Sequence, residues 1–192
     1  MHIKSNRSVP RVALVLSMLA LTVLALGGCS NGGDNPPAPT SPEDIGLQEL
    51  QEPVEAPDFT LPTMGGGQLT LSDLRGKLVL LNFWQLDCPP CKEEMPLLDA
   101  AGKAYKGTAE VVVLDIGDSE SSILEYFDNA TLNMHVPYDG NGRVAAAYSI
   151  GFTPTTFLID TKGMVHYVKV GPFNNYGEIA AALEFTRLKE AA

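Results

Sequence analysis

Leu78-Val79-Leu80-Leu81-Asn82-Phe83-Trp84 is a run without a solvent face, and shortly after it the chain reads Cys88-Pro89-Pro90-Cys91 at the head of a helix-like stretch. A half-buried strand alternates apolar and polar residues. A strand apolar on both faces has to be covered from both sides, which places it in the middle of a sheet with layers above and below. The hand-over from that strand to a helix occurs at the two cysteines. Two thiols separated by two residues beside a helix N-terminus can close a small reversible disulfide, the arrangement that thiol-disulfide exchange requires.

The rest of the pattern completes a layered α/β domain. Phe59 to Leu61 and Gln68 to Leu71, separated by Gly65-Gly66-Gly67, predict a short hairpin, and Ser72-Asp73-Leu74 a helical turn closed by Gly76. Pro89 to Tyr105 predicts a helix with Pro96 inside it, where a proline removes a backbone donor and kinks the turn. Glu110 to Ile116 predicts a buried strand and Glu120 to Asn129 a helix, so the two strands pair in parallel through a right-handed crossover. After a short helix over Arg143 to Tyr148, Thr155 to Asp160 and Met164 to Val170 form a hairpin about Thr161-Lys162-Gly163. Tyr176 to Glu190 closes the chain as an amphipathic helix, with Ile179, Leu183 and Leu188 as core candidates. A β-α-β block followed by a hairpin and a helix is a thioredoxin-like α/β architecture. The expectation is a central mixed sheet flanked by helices, with an N-terminal β-hairpin extension.

The N-terminus reads differently. Lys4, Arg7 and Arg11 precede the apolar run Val12 to Leu26, which is short for a membrane span of about 20 residues but suits the core of a secretory signal peptide. Leu26-Gly27-Gly28-Cys29 resembles the bacterial lipobox, in which the cysteine receives a diacylglyceryl group and the chain is cut just before it. An ordinary signal peptide with an incidental Cys29 is the alternative. Of three cysteines two pair as Cys88 and Cys91, and lipidation would cap the third, which would otherwise be a free thiol in an oxidising compartment. The expected organisation is a signal peptide over residues 1–28, a flexible tether over 29–55 and a thioredoxin-like domain over 56–192. As a flexible coil such a tether spans roughly 30 Å. Removing residues 1–28 leaves 10 Lys+Arg against 23 Asp+Glu. So acidic a surface argues against nucleic acid as a partner and leaves membrane attachment to the lipid.

At the site itself, Cys88 falls near the helix N-cap, where the helix dipole favours a thiolate. It is the expected attacker, and Cys91, one turn further in, the expected resolver. Pro89 and Pro90 suit a first helical turn but carry no N–H, so two donors to the thiolate are missing. A thiolate stabilised less in this way makes the pair more reducing. Asp87, directly before Cys88, opposes the thiolate further. Zinc would need two more ligands, and only Cys29, His2, His135 and His166 remain, so no metal is expected. Covalent haem would need histidine where Lys92 stands. A static structural bridge remains an alternative. No cofactor beyond the Cys88–Cys91 disulfide is expected.

Five segments carry a resemblance: Ala56-Pro57-Asp58-Phe59-Thr60-Leu61, Leu71-Ser72-Asp73-Leu74-Arg75-Gly76-Lys77, Asn82-Phe83-Trp84, Cys88-Pro89-Pro90-Cys91-Lys92-Glu93-Glu94-Met95-Pro96 and Thr153-Pro154-Thr155-Thr156-Phe157-Leu158-Ile159-Asp160. From Ala56 onward the chain resembles the membrane-tethered thioredoxin-like oxidoreductases of bacteria, the TlpA/ResA-like family. The resemblance implies that Pro154 is a cis-proline lying against the disulfide, that the backbone of Thr153 pairs with an incoming substrate strand, and that Trp84 packs beside the dithiol. A trans-proline opening a strand and a plain core tryptophan are the alternatives. Asn82 stands where thioredoxins proper carry a buried aspartate. Asp118 matches the place of a carboxylate in nearer relatives and would accept the Cys91 proton, or else cap the following helix. Asp87 replaces a common tryptophan and, with Pro89 and Pro90, belongs to the surface a substrate meets.

The resemblance implies an exported, monomeric reductase tethered by lipid at Cys29. Its substrates would be disulfides of exported proteins, apocytochrome c among them, and a membrane electron donor would recharge it. Two other classes remain open. Peroxiredoxins share the Ala-Pro-Asp-Phe opening but place threonine three residues before their reactive cysteine, where this chain has Gln85. A non-catalytic docking module would have no use for the second thiol.

Overall fold

The computed structural model describes residues 38–128 and 130–191. Residues 1–28, Cys29 and the first part of the expected tether lie outside the described residues. Among those described, no helix is long and apolar enough to cross a membrane.

The described residues form eight strands and four α-helices in the order β1 (Leu47–Glu55), β2 (Thr60–Pro62), β3 (Gln68–Thr70), β4 (Leu78–Trp84), α1 (Pro89–Ala104), β5 (Ala109–Ile116), α2 (Glu120–Tyr126), β6 (Tyr138–Asp139), α3 (Arg143–Ala147), β7 (Thr155–Ile159), β8 (Met164–Val170) and α4 (Tyr176–Glu190). The main sheet has the order β1-β8-β7-β4-β5-β6, with β4, β5 and β6 parallel and β1, β8, β7 and β4 successively antiparallel. The expected central strand is central, and all seven of its residues are buried. β2 and β3 make the separate hairpin. This is the thioredoxin-like mixed sheet with flanking helices that the sequence implies.

Alternation along β4 and β5 divides the core in two. Leu78, Leu80, Trp84, Val111 and Val113 point to one face, where Leu98 of α1 and Ile179 and Leu183 of α4 cover them. Val79, Leu81, Phe83, Val112 and Leu114 point to the other, under Phe59, Leu69, Leu71 and Tyr148. The Tyr148 hydroxyl donates to the Pro57 carbonyl at 2.8 Å, fastening the hairpin's approach to this second layer.

Three expectations change. The tether does not extend to residue 55: Pro42–Ile45 forms a 3-10 turn, β1 pairs antiparallel with β8, and Ile45 and Leu47 enter the core. The polar, proline-containing sequence of β1 is what an edge strand tolerates, because its pairing rests on backbone groups rather than on an apolar face. Helix α2 ends at Tyr126, and Phe127 is its C-cap. Leu188 is 51% exposed and takes no part in the core, whereas Ile179 and Leu183 do.

Candidate active site

β4 runs straight toward the dithiol. Cys88 is the N-cap of α1 in extended conformation, Pro89 and Pro90 occupy the first helical positions, and the Cys88 carbonyl accepts the Lys92 N–H at 3.2 Å. With two prolines ahead of it, Cys91 supplies the first-turn N–H that reaches the Cys88 sulfur, at 3.3 Å. Cys88 and Cys91 form a disulfide with a Cα–Cα separation of 5.3 Å. Cys88 is 5% exposed and Cys91 fully buried, which gives the order of access expected of attacker and resolver. Even so, Cys88 is less open than a helix-start position suggests.

The Thr153–Pro154 peptide is cis. β7 pairs antiparallel with β4, Thr155 opposite Phe83, so Thr153 and Pro154 lie at the sheet end where β4 delivers Cys88. The Pro154 carbonyl accepts the Gly171 N–H at 2.8 Å, and among the described residues the Thr153 backbone N–H and C=O have no partner. Trp84, fully buried, shares a core cluster with both cysteines; its ring centroid lies 5.5 Å from that of Tyr126 and 5.6 Å from that of Phe127. Asp87 and Pro89 are exposed and Pro90 half-buried.

The loop between β4 and Cys88 is pinned to the end of β5. Asp118 Oδ2 accepts the Leu86 N–H at 2.8 Å, the Asp118 N–H donates to Asp115 Oδ1 at 2.9 Å, and Gln85 Nε2 donates to the Ile116 carbonyl at 3.1 Å. Asp118 is not the cap of α2. That position is Ser119, whose hydroxyl accepts the Ser122 N–H. Burial pushes the Asp115 carboxyl well above the usual carboxylate range; the Asp118 N–H opposes this and the Asp118 charge adds to it.

The buried carboxyl that sequence reasoning missed is Glu94. It lies three residues after Cys91 on the buried stripe Cys91, Glu94, Met95, Leu98 of α1 and is 1% exposed. Its Oε1 accepts Asn82 Nδ2 at 2.8 Å and its Oε2 the Phe173 N–H at 2.9 Å, and Asn82 Nδ2 also donates to Thr156 Oγ1 at 3.0 Å. Burial raises its pKa from 4.5 to about 7, against the pull of those two donors and of the Lys169 charge. Lys169 is itself buried, its ammonium donating to the Ile45 carbonyl at 2.6 Å, so the turn before β1 helps hold the cation that faces Glu94. The signal was available: a carboxylate at i+3 from a buried cysteine shares its helix face.

These features make a buried dithiol/disulfide with a carboxyl poised to titrate near neutrality, open on one side to an unpaired backbone segment. Residues 54–168 match the AhpC/TSA family. The chain belongs to this family. The chain is 36% identical over 134 residues to the thioredoxin-like protein YneN of Bacillus subtilis (strain 168), covering 68% of this chain and 76% of that one. It is also 36% identical over 127 residues to the thiol-disulfide oxidoreductase ResA of the same organism, covering 66% and 71%. The crystal structure of the exposed lipoprotein thioredoxin of Streptococcus pneumoniae strain TIGR4 matches at a TM-score of 0.61 and 26% identity, over 67% of this chain and 99% of that one. Residues 54–168 are thus the body of a ResA-like, thioredoxin-fold oxidoreductase domain whose redox centre is the Cys88–Cys91 pair. Among the described residues no group of three or more His, Cys, Asp or Glu is placed to hold a metal ion.

Proposed function

We propose that this chain is an exported, lipid-anchored, monomeric reductase of disulfides in other exported proteins. The observation that carries the reading is the disulfide between the N-cap and the third residue of α1, with the better-buried sulfur on the resolving side. In the dithiol state the Cys88 thiolate attacks one sulfur of a client disulfide, forming a mixed disulfide and releasing a client thiolate. Cys91, its proton passed to Glu94, attacks the Cys88 sulfur and expels the second client thiolate. Two electrons and the Cys91 proton reach the client, the other client thiolate takes its proton from solvent, and the Cys88–Cys91 bond re-forms. A carboxyl with a pKa near 7 can take the thiol proton and return it at neutral pH. Asp118 fixes the Leu86 end of the active-site loop, Trp84 backs the dithiol, and Pro154 with Thr153 receives the client strand.

The anchor is Cys29, the signal residues 1–28, and the tether the chain from Cys29 to the start of the 3-10 turn. A membrane electron donor recharges the pair, and apocytochrome c is one client class to which the family resemblance points. Gln85, where a peroxiredoxin has threonine, instead bonds the Ile116 carbonyl, which favours disulfide exchange over peroxide reduction.

The test is trapping with Cys91→Ala in the full chain. Mixed disulfides should accumulate through Cys88 and vanish in the Cys88→Ala, Cys91→Ala double variant. Equal yields from both variants would exclude exchange at this pair. Loss of membrane association and of a metabolic lipid label in Cys29→Ser tests the anchor separately.

A further inference from the structure

Asp87 leaves the dithiol without the aromatic neighbour that thioredoxin-like sites commonly offer to a client. The structure supplies one elsewhere. Phe152 is 77% exposed, the most open of the large apolar side chains among the described residues. It precedes Thr153 in the loop that ends in the cis-proline, and its carbonyl accepts the Thr155 hydroxyl at 2.8 Å, which ties its backbone to the first residue of β7. Val170, 51% exposed, pairs with Thr155 at the end of β8, so two open apolar side chains flank one backbone segment. Single exposed apolar residues are ordinary on protein surfaces. What distinguishes this pair is its position: both stand at the sheet end where β4 delivers Cys88, on either side of backbone groups with no partner in the described protein. Neither side chain closes the core, and each leaves apolar surface in water that a client can cover.

We propose that Phe152, supported by Val170, is the specificity-determining anchor of the site, seating an apolar side chain one or two positions from the client cysteine while exposed Asp87 selects a cationic over an acidic neighbour. The occupant is an extended polypeptide segment. A strand lying along Thr153 hydrogen-bonds with its backbone and projects alternate side chains to either side, so the residues flanking its cysteine meet the rim rather than the dithiol. Charge acts in the same sense, since the full chain carries 23 Asp+Glu against 13 Lys+Arg. The inference rests on the proposed exchange reaction and names the chemistry of its substrate.

The experiment compares the reduced full-chain protein on synthetic peptides that share one intrapeptide disulfide and differ in a single flanking residue, Leu or Ser. The wild type should reduce the Leu peptide with a kcat/KM about tenfold higher, as expected for partial burial of one apolar side chain, and the difference should lie mainly in KM. Phe152→Ser should bring the ratio close to one, and Phe152→Trp should restore it. A second peptide pair, Lys against Glu at the next position, should lose its discrimination in Asp87→Asn and keep it in Phe152→Ser. A Leu/Ser ratio of one in the wild type, or a ratio undiminished in Phe152→Ser, overturns the assignment to Phe152. No reduction of any peptide by the wild type overturns the exchange reading itself, and this inference with it.

Discussion

Glu94 is a carboxyl among apolar neighbours, held by Asn82 and by the Phe173 backbone, and its environment predicts a pH dependence with a definite sign. Because burial lifts its pKa to about 7, the folded protein binds this proton more tightly than the unfolded chain does. Its contribution to stability is therefore full below the ordinary carboxylate pKa and is lost as pH rises through about 7, a loss on the order of 3 kcal/mol. Glu94→Gln should remove that slope: denaturant unfolding between pH 5 and pH 8 should give a difference between wild type and variant that changes by roughly this amount. The same substitution should slow resolution of the mixed disulfide by about 10²-fold and erase an inflection near neutrality in the rate profile. An unchanged profile would leave the Cys91 proton without its proposed acceptor. Lys169→Met removes the cation that lowers the Glu94 pKa, so the inflection should move to higher pH.

Helix α1 carries both chemistry and packing, and its inner face is filled to contact. At Gly102 a Cβ would stand 2.0 Å from the Asn133 carbonyl oxygen and 2.8 Å from its carbon, so the loop before β6 is seated where only hydrogen fits. Alanine is the better helix former by about 1 kcal/mol, yet the backbone it meets cannot rotate away. Gly102→Ala should therefore destabilise by about 2 kcal/mol or more, read as a lower midpoint in urea; a stabilised variant would mean that the loop yields. The other closely fixed element is the β4–α1 loop, bonded through Leu86 to Asp118 and through Gln85 to Ile116. Asp118→Ala leaves the Leu86 N–H without its partner. It should cost about 1–2 kcal/mol and broaden the backbone NMR signals of residues 85–88, without touching either sulfur.

For the molecule as a whole, the decisive revision is where the domain begins. Ile45 and Leu47 are buried in the same cluster as the cysteines, and the Ile45 carbonyl binds Lys169 beside Glu94. A chain starting at Pro42 should fold with the stability of one starting at Cys29. One starting at Ala56 should lose about 3–6 kcal/mol, the transfer of two large aliphatic side chains back to water, along with the β1–β8 pairing. Equal unfolding midpoints for the three would return residues 42–55 to the role of tether. The residue-level consequence travels with it: losing Ile45 should shift the Glu94 titration, which makes the N-terminal strand part of the support of the site rather than a passive lead.

Where neighbours in sequence settle a conformation, the structure could be read from the chain. β4 and its hand-over to α1 follow from an apolar run and two prolines at a helix start, the β7–β8 hairpin from Thr161-Lys162-Gly163, and the cis-proline from the Thr153-Pro154 match to a family. These are local signals, since periodicity, fixed φ and turn chemistry act over a few residues. Long-range packing decided the rest. β1 has no apolar face and is a strand because β8 offers it a backbone edge; the Glu94 pKa is raised because packing buries its carboxyl, while Asn82, Phe173 and Lys169 from three separate segments hold it and temper the shift; Asp118 holds Leu86 because β5 ends beside β4. Burial and the partners of a buried charge depend on residues far apart in the chain. No window of sequence contains them.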